Sequence, residues 1–405
     1  MSINKKIAAF IFISVFLAII FAVPILTILN PREVHSAVEF RDLAQMPDFS
    51  WEAVHNGDFF DGIAEFLKDN VFGRNALLRA YTHFNANVMR VPVVNEIIIT
   101  STHLLHFEEH VFPDFSNADA VVDKAVALNE IVQSYGGVFL QANVPGQISG
   151  LRHLYPPHFY NRSTLFDFNV EVLIPNMRAR GVDVISLYDV LLETYGDITH
   201  FFFATDHHFN FHGAFAVYRA IMNHLADNHD ERLRPFGRED FTFIDLPNPF
   251  SGSRNRRVNY LWPKDMDVIT IAYPNNPIYF HRYHMEDWGD WRVVRDDRKF
   301  FMPETDYCVV NFGMYNGGDW PELIFKTFRP ELPNLLFFGD SHTNPVETLL
   351  YLHFNEMRIL DMRNFRDMTL VEYILLHQPC FVVYLADDSK TLGWCGNEDF
   401  FGDNR

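Results

Sequence analysis

The sequence predicts an α/β fold, a doubly wound and mainly parallel sheet preceded by a single transmembrane helix. Two observations predict it. Apolar strand-length runs alternate with segments of helical period from about Asn117 to Leu225, and again from Leu335 to Leu385. Such alternation builds a parallel sheet with helices on its faces. Ahead of both, Ile7 to Leu29 runs 23 residues without a charge. As a helix this run would reach about 35 Å at ~1.5 Å per residue, enough to cross a bilayer.

The N-terminal run is read as an uncleaved anchor. The rival, a cleaved signal peptide, has an apolar core of only about 7–15 residues ending in a small-residue cleavage site, and this run fits neither condition. Lys5 and Lys6 precede the run, whereas Arg32 beyond it is offset by Glu33. The charge bias therefore keeps residues 1–6 in the cytoplasm and sends everything after about Asn30 outside. Residues 30–56 mix Pro, charge and isolated apolar residues as a juxtamembrane linker. A main domain is expected over 57–390, and a tail over 391–405.

Within that domain, Asp61 to Met89 has the 3.6-residue period of a helix through Ile63, Phe66, Leu67, Val71, Leu77, Leu78 and Tyr81. Helix Ala118–Ser134 passes through Gly136-Gly137 into strand Val138–Leu140. A helix at about Leu165–Arg180 passes through Gly181 into strand Val182–Leu187. Another helix follows at about Gly213–Leu225. Residues 230–330 are rich in Pro, Gly, Trp, Tyr and Arg, and read as an irregular insertion. The rhythm then resumes with strand Leu335–Phe338, helix Pro345–Phe354, strand Arg358–Leu360, helix Thr369–His377 and strand Phe381–Leu385. In such sheets ligands bind at the carboxyl ends of the strands.

Composition narrows the function. Among 405 residues 48% are hydrophobic, ample for a large core, and the net charge of -19 argues against nucleic acid. The cysteines are Cys308, Cys380 and Cys395. A Cys380–Cys395 disulfide is possible outside the cytoplasm, but Cys380 opens an apolar run and reads as a buried strand residue.

Two constellations offer chemistry. In Thr205-Asp206-His207-His208-Phe209, an extended backbone would project Asp206 and His208 to one side and His207 to the other. A carboxylate so placed orients an imidazole and stabilises its protonated form; the bland alternative is a surface histidine pair beside a helix cap. In Leu335-Leu336-Phe337-Phe338-Gly339-Asp340-Ser341-His342, a buried strand runs straight into Gly-Asp-Ser, placing Ser341 at a carboxyl end before a helix. Backbone N–H groups there can steady an oxyanion. Gly-Asp-Ser by itself is also an ordinary turn; its position after a strand is what marks it.

Together these motifs resemble the alginate O-acetyltransferase-type SGNH-like proteins, the AlgX/AlgJ group and the related DHHW proteins. Further similarity lies in Asp69-Asn70-Val71-Phe72-Gly73-Arg74, at the family's early helix junction, and in Leu360-Asp361-Met362-Arg363. The group usually carries Trp after the second His, where this chain has Phe209, an apolar support for the imidazole. The resemblance implies an SGNH-like catalytic domain with Ser341 as nucleophile, His208 as general base and Asp206 as orienting acid. For the oxyanion, the backbone N–H of Ser341 is the first candidate, with Asn344 and the Tyr315–Gly318 turn behind it. It also implies a polysaccharide substrate, no cofactor, and a multi-spanning membrane acyltransferase as acetyl donor. An esterase of the same fold and a non-catalytic polysaccharide-binding factor are the competing functions, the latter drawing on Trp262, Tyr279, Tyr283, Trp288 and Trp291.

Two metal readings compete. His106-Phe107-Glu108-Glu109-His110 fits H-x-x-E-H, but Pro113 close behind opposes the helix that this motif needs. Asp206, His208 and His212 could also ligate a metal, a role that excludes His208 as base for Ser341.

Overall fold

The uncharged N-terminal run folds as helix α1 (Ile3–Leu29), which is long and apolar enough to cross a membrane. Pro24 within it removes one ladder hydrogen bond, an interruption that membrane helices tolerate. The computed structural model describes residues 3–29, 33–36, 41–107, 115–157, 159, 163–262, 267–287, 290–294 and 310–387. They fall into two compact units, one of Met1–Asn95 with Asn255–Trp262, the other of Glu96–Arg254 with Pro263–Arg405. The single domain expected over 57–390 is therefore divided, with its first helices in the N-terminal unit.

In that unit the expected Asp61–Met89 helix is broken into α2 (Asp58–Asn70), α3 (Arg74–His83) and a π-helical turn at Phe84–Val88. The break has a local cause. Val71 turns extended at ψ 133 and Gly73 takes φ 75, a left-handed conformation that suits glycine. Asp69 holds the junction, accepting both Arg41 guanidinium nitrogens at 2.6 and 2.7 Å and the Ala44 N–H at 2.9 Å. Part of the expected linker is also helical: Trp51–Asn56, capped by the Ser50 hydroxyl.

The second unit is built on an eight-stranded sheet. Its strands are β1 (Val138–Val144), β2 (Asp183–Ser186), β3 (His281–Asp287), β4 (Asp290–Val294), β5 (Glu322–Lys326), β6 (Leu335–Gly339), β7 (Glu356–Asp361) and β8 (Phe381–Asp387). Across the sheet they run β4-β3-β5-β7-β6-β8-β1-β2. The stretch from β7 to β2 is parallel, and β5, β3 and β4 extend it antiparallel. The α/β, mainly parallel, doubly wound architecture is thus present.

The main helices of this unit are α4 (Ala118–Ser134), α5 (Phe211–Asn228), α6 (Thr343–Leu350) and α7 (Leu370–His377). On one sheet face Val121, Leu128 and Val132 of α4 and Ile374 of α7 pack with Leu336, Phe338 and Val382. Leu335 and Phe337 point the opposite way and are just as deeply buried. A strand covered on both faces is apolar throughout, which is why β6 was legible as a strand. Because β7 and β8 flank β6 on opposite sides, the winding reverses there, and the carboxyl end of β6 is the place where a sheet of this kind binds its ligand.

Three expectations need correction. Residues 230–330 are not simply an irregular insertion, because they supply β3, β4 and β5. Their polar sequence hid them: Arg282 and His284 are buried on β3, where Arg282 donates to the Asn316 backbone carbonyl and His284 stacks on Trp320. The helix expected at Leu165–Arg180 is interrupted by a π-helical turn at Asn169–Leu173, next to Pro175, which has no N–H to give to the helical ladder. Cys380 is exposed rather than buried, because it lies just outside β8. Cys308 and Cys395 lie outside the described residues, as do Trp288, His110 and the 391–405 tail.

Candidate active site

Ser341 owes its position to the glycine before it. A Cβ on Gly339 would lie 2.4 Å from the Leu385 carbonyl oxygen, so the tight pairing of β6 with β8 requires glycine there. The chain then turns through Asp340-Ser341-His342 into α6, with the Thr343 N–H and hydroxyl both donating to the Asp340 carbonyl at 2.9 Å. Ser341 is left at the carboxyl end of a central parallel strand, two residues ahead of a helix.

Asp206 and His208 reach the same point from a tight loop. Phe202 and Phe209 pair antiparallel, the Phe203 N–H donates to the His208 carbonyl, and Asn210 then caps α5. The segment is bent, not extended as the alternation argument supposed. What joins the two side chains is an Asx turn, in which Asp206 Oδ1 accepts the His208 backbone N–H at 3.2 Å and Nδ1 at 2.6 Å. His208 Nε2 lies 2.8 Å from Ser341 Oγ. The structure therefore brings Asp206, His208 and Ser341 into one hydrogen-bonded line. His207 sits at the rim, its side chain 45% exposed, with Nδ1 3.1 Å from Ser253 Oγ and 3.3 Å from Asp206 Oδ1.

Several supporting groups carry no motif. Gln147, just after β1, donates to the carbonyls of Phe203 and Asp206 at 3.3 and 2.9 Å. Asp267 accepts the backbone N–H groups of Ala204 and Thr205 at 2.8 and 2.7 Å. The Ser253 N–H donates to Asp206 Oδ2 at 2.6 Å. Gly252 permits that approach, since a Cβ there would stand 2.5 Å from the Asp206 Cβ. Phe312 stacks on the His208 ring at 3.6 Å with 5° between planes. Phe209, expected to support that imidazole, packs against His342 instead, at 5.6 Å. The place of Gln147, beyond the carboxyl end of a parallel strand, was the one signal in the sequence for any of these.

Electrostatics set the protonation states. Burial alone would raise the Asp206 pKa, but His207, His208 and the Ser253 N–H outweigh it and hold the carboxyl well below its usual range. Burial lowers the His208 pKa below its ordinary value; Asp206 opposes the shift and His342 adds to it. The resting pair is thus a carboxylate and a neutral imidazole, with Nδ1–H on Asp206 and the Nε2 lone pair facing the Ser341 hydroxyl.

Asn344 is displaced from its expected role. Its backbone N–H closes a turn on the Ser341 carbonyl at 3.3 Å, and its side-chain amide donates to Asp319 at 2.8 Å. The Tyr315–Gly318 turn is also structural. There the Asn316 side-chain amide donates to Glu347 at 2.6 Å, while the Asn316 backbone carbonyl accepts from Arg282 and Trp320. Glu347 is fully buried on α6, and burial pushes its carboxyl up to about 7. His212 is drawn away from Asp206 and His208, its ring stacked on Phe243 and its Nδ1 beside Arg238. His106 of the H-x-x-E-H stretch ends a short strand, Leu104–His106, and Phe107 follows it outside any helix; the rest of that motif lies outside the described residues.

No protein-family model matches the sequence, and no curated protein matches it. Solved structures do match the chain. It is similar to Bacillus cereus PatB1, with 20% identity over 75% of this chain and 99% of that chain and a TM-score of 0.63. PatB1 with a sulfonyl adduct gives 19% identity, 75% and 97% coverage and a TM-score of 0.61. A DHHW family protein from Eubacterium siraeum gives 17% identity, 74% and 93% coverage and a TM-score of 0.54. At these identities the likeness is one of fold, and it includes the DHHW group that the motifs resemble.

Proposed function

We propose that this chain is an extracytoplasmic O-acetyltransferase, acting on a cell-envelope or exported polysaccharide through an acyl-enzyme on Ser341. One observation carries the reading: a continuous line from Asp206 Oδ1 to His208 Nδ1 at 2.6 Å, and from His208 Nε2 to Ser341 Oγ at 2.8 Å, all three residues buried. This is the relation of orienting carboxylate, base and nucleophile that acyl transfer needs, in the chain order Asp, His, Ser. That PatB1, of the same fold, takes a sulfonyl adduct agrees with a reactive nucleophile in this architecture.

Ser341 Oγ attacks the acetyl carbonyl while His208 Nε2 takes the hydroxyl proton. The Ser341 N–H, ahead of α6, steadies the oxyanion. On collapse, His208 gives its proton to the leaving oxygen, and the acetyl group remains as an ester on Ser341. A sugar hydroxyl then enters, loses its proton to His208 and attacks that ester; the ester bond to Oγ breaks, His208 returns the proton to Ser341 Oγ, and the O-acetylated sugar leaves. Acetyl-CoA is cytoplasmic, so the donor is taken to be a multi-spanning membrane acyltransferase that delivers acetyl groups across the bilayer. Helix α1 would hold the chain beside it, with its N-terminus in the cytoplasm. Water in place of the sugar would make the enzyme an acetylesterase.

Incubation with a chromogenic acetyl ester, with and without an oligosaccharide acceptor, tests the reading. Transfer predicts an O-acetylated oligosaccharide by mass spectrometry and faster release of the chromophore when acceptor is present. Release of acetate alone, with no acetylated sugar, would select the esterase.

A further inference from the structure

At the other end of the sheet, on the amino-terminal side of its parallel strands, Asp183 opens β2 at the sheet edge. His224 lies in the last turns of α5, and His229 directly follows the helix. His224 Nε2 lies 2.8 and 2.9 Å from the two Asp183 carboxylate oxygens, and His229 Nε2 lies 2.9 Å from Oδ2. We propose that these three side chains form a binding site for a divalent cation of the zinc type, separate from the serine site.

The chemistry of the donors selects the cation. Two imidazole nitrogens and one carboxylate oxygen are a borderline-soft set, suited to zinc and poorly suited to calcium or magnesium, which take oxygen ligands. Zinc holds such atoms at about 2.0–2.2 Å, which puts tetrahedral neighbours roughly 3.3 Å apart. The observed separations of 2.8–2.9 Å therefore need to open by only about 0.5 Å. The three side chains are 22%, 25% and 27% exposed, partly packed yet open enough for water in a fourth position. The helix supplies a further attraction. The last turn of α5 carries no basic side chain, so its carbonyl end, equivalent to about half a negative charge, adds to the Asp183 carboxylate.

A cation here would pin the end of α5 to the edge strand. The other end of α5 is capped by Asn210, two residues after His208, so the pin would brace the helix that carries the loop of the general base. The role is structural, and the Asp206–His207–His208 group is not part of it.

The full chain in detergent, stripped with a chelator, is titrated with Co²⁺ and then Zn²⁺. A four-coordinate cobalt absorption band that zinc displaces is expected, with a rise of several degrees in Tm at saturating zinc. His229→Ala and Asp183→Asn should lose both, the latter while keeping the shape of the side chain, and His207→Ala should keep both. A wild-type protein with no band and no rise would overturn the proposal, as would a band that survives Asp183→Asn or one lost only in His207→Ala. The last two outcomes would leave the imidazole–carboxylate trio as a hydrogen-bonded ion pair.

Discussion

His208 Nε2 and Ser341 Oγ stand 2.8 Å apart although 133 positions separate them in the chain. The contact singles out one histidine of an adjacent pair. His208→Ala removes the imidazole that, among the described residues, is bonded to both Asp206 and Ser341, and should reduce hydrolysis of a chromogenic acetyl ester at least about 10⁴-fold. His207→Ala removes a rim side chain and should retain most of the activity. Equal losses in the two variants would contradict the assignment.

Asp206→Asn should keep the fold and lower kcat by about 10⁴-fold, because the imidazolium formed during acylation loses its carboxylate. With its oxygen in the Oδ2 place the amide still accepts the Ser253 N–H, while its nitrogen faces His208 where Oδ1 had accepted, so the loss should appear in kcat with little change in KM. A variant with unchanged kcat would show that Asp206 only shapes the loop.

The pH profile follows from burial. Because burial lowers the His208 pKa despite Asp206, the base remains neutral below the ordinary histidine midpoint of 6.5. The acidic limb of kcat/KM should therefore have its midpoint below 6.5, with activity lost only as pH falls through it. A midpoint above 7 would mean that Asp206 dominates over burial.

Glu347 gives a stability prediction of opposite sense. Its carboxyl is raised from 4.5 to about 7 in the folded chain, so the folded state holds the proton more tightly than the unfolded one. The stabilisation is complete below about pH 4.5 and is lost as pH rises through about 7. At about 1.4 kcal/mol per pKa unit the change is on the order of 3 kcal/mol. Glu347→Gln cannot titrate, so the Tm advantage of wild type over this variant should shrink between pH 5 and pH 8. A constant difference would refute the shift.

How much of this was legible follows from burial and chain locality. Leu335–Phe338 and Phe381–Leu385 announced themselves because strands covered on both faces are apolar throughout. His281–Asp287 did not, because its Arg282 and His284 are buried through partners on a turn and a strand boundary more than thirty residues away. Asp206 and His208 were paired correctly by spacing but for the wrong reason, since the i, i+2 relation arises from an Asx turn and not from strand alternation. Phe312 and Asp267 could not be found at all, and Gln147 only by its place beyond the carboxyl end of a parallel strand. Each acts through contacts from a distant part of the chain, and none stands in a pattern with the residues it supports.

Covalent capture measures the nucleophilicity of Ser341 directly. The chain is treated with phenylmethanesulfonyl fluoride, followed by intact-mass spectrometry and peptide mapping. Attack by Ser341 Oγ on sulfur should expel fluoride, pass the proton to His208 and leave one sulfonyl group on Ser341, with acetyl-ester turnover lost in step. The adduct should be absent in Ser341→Ala and form far more slowly in His208→Ala. Full acetyl-ester turnover in Ser341→Ala, or an unmodified Ser341 in protein that the reagent has inactivated, would contradict the mechanism.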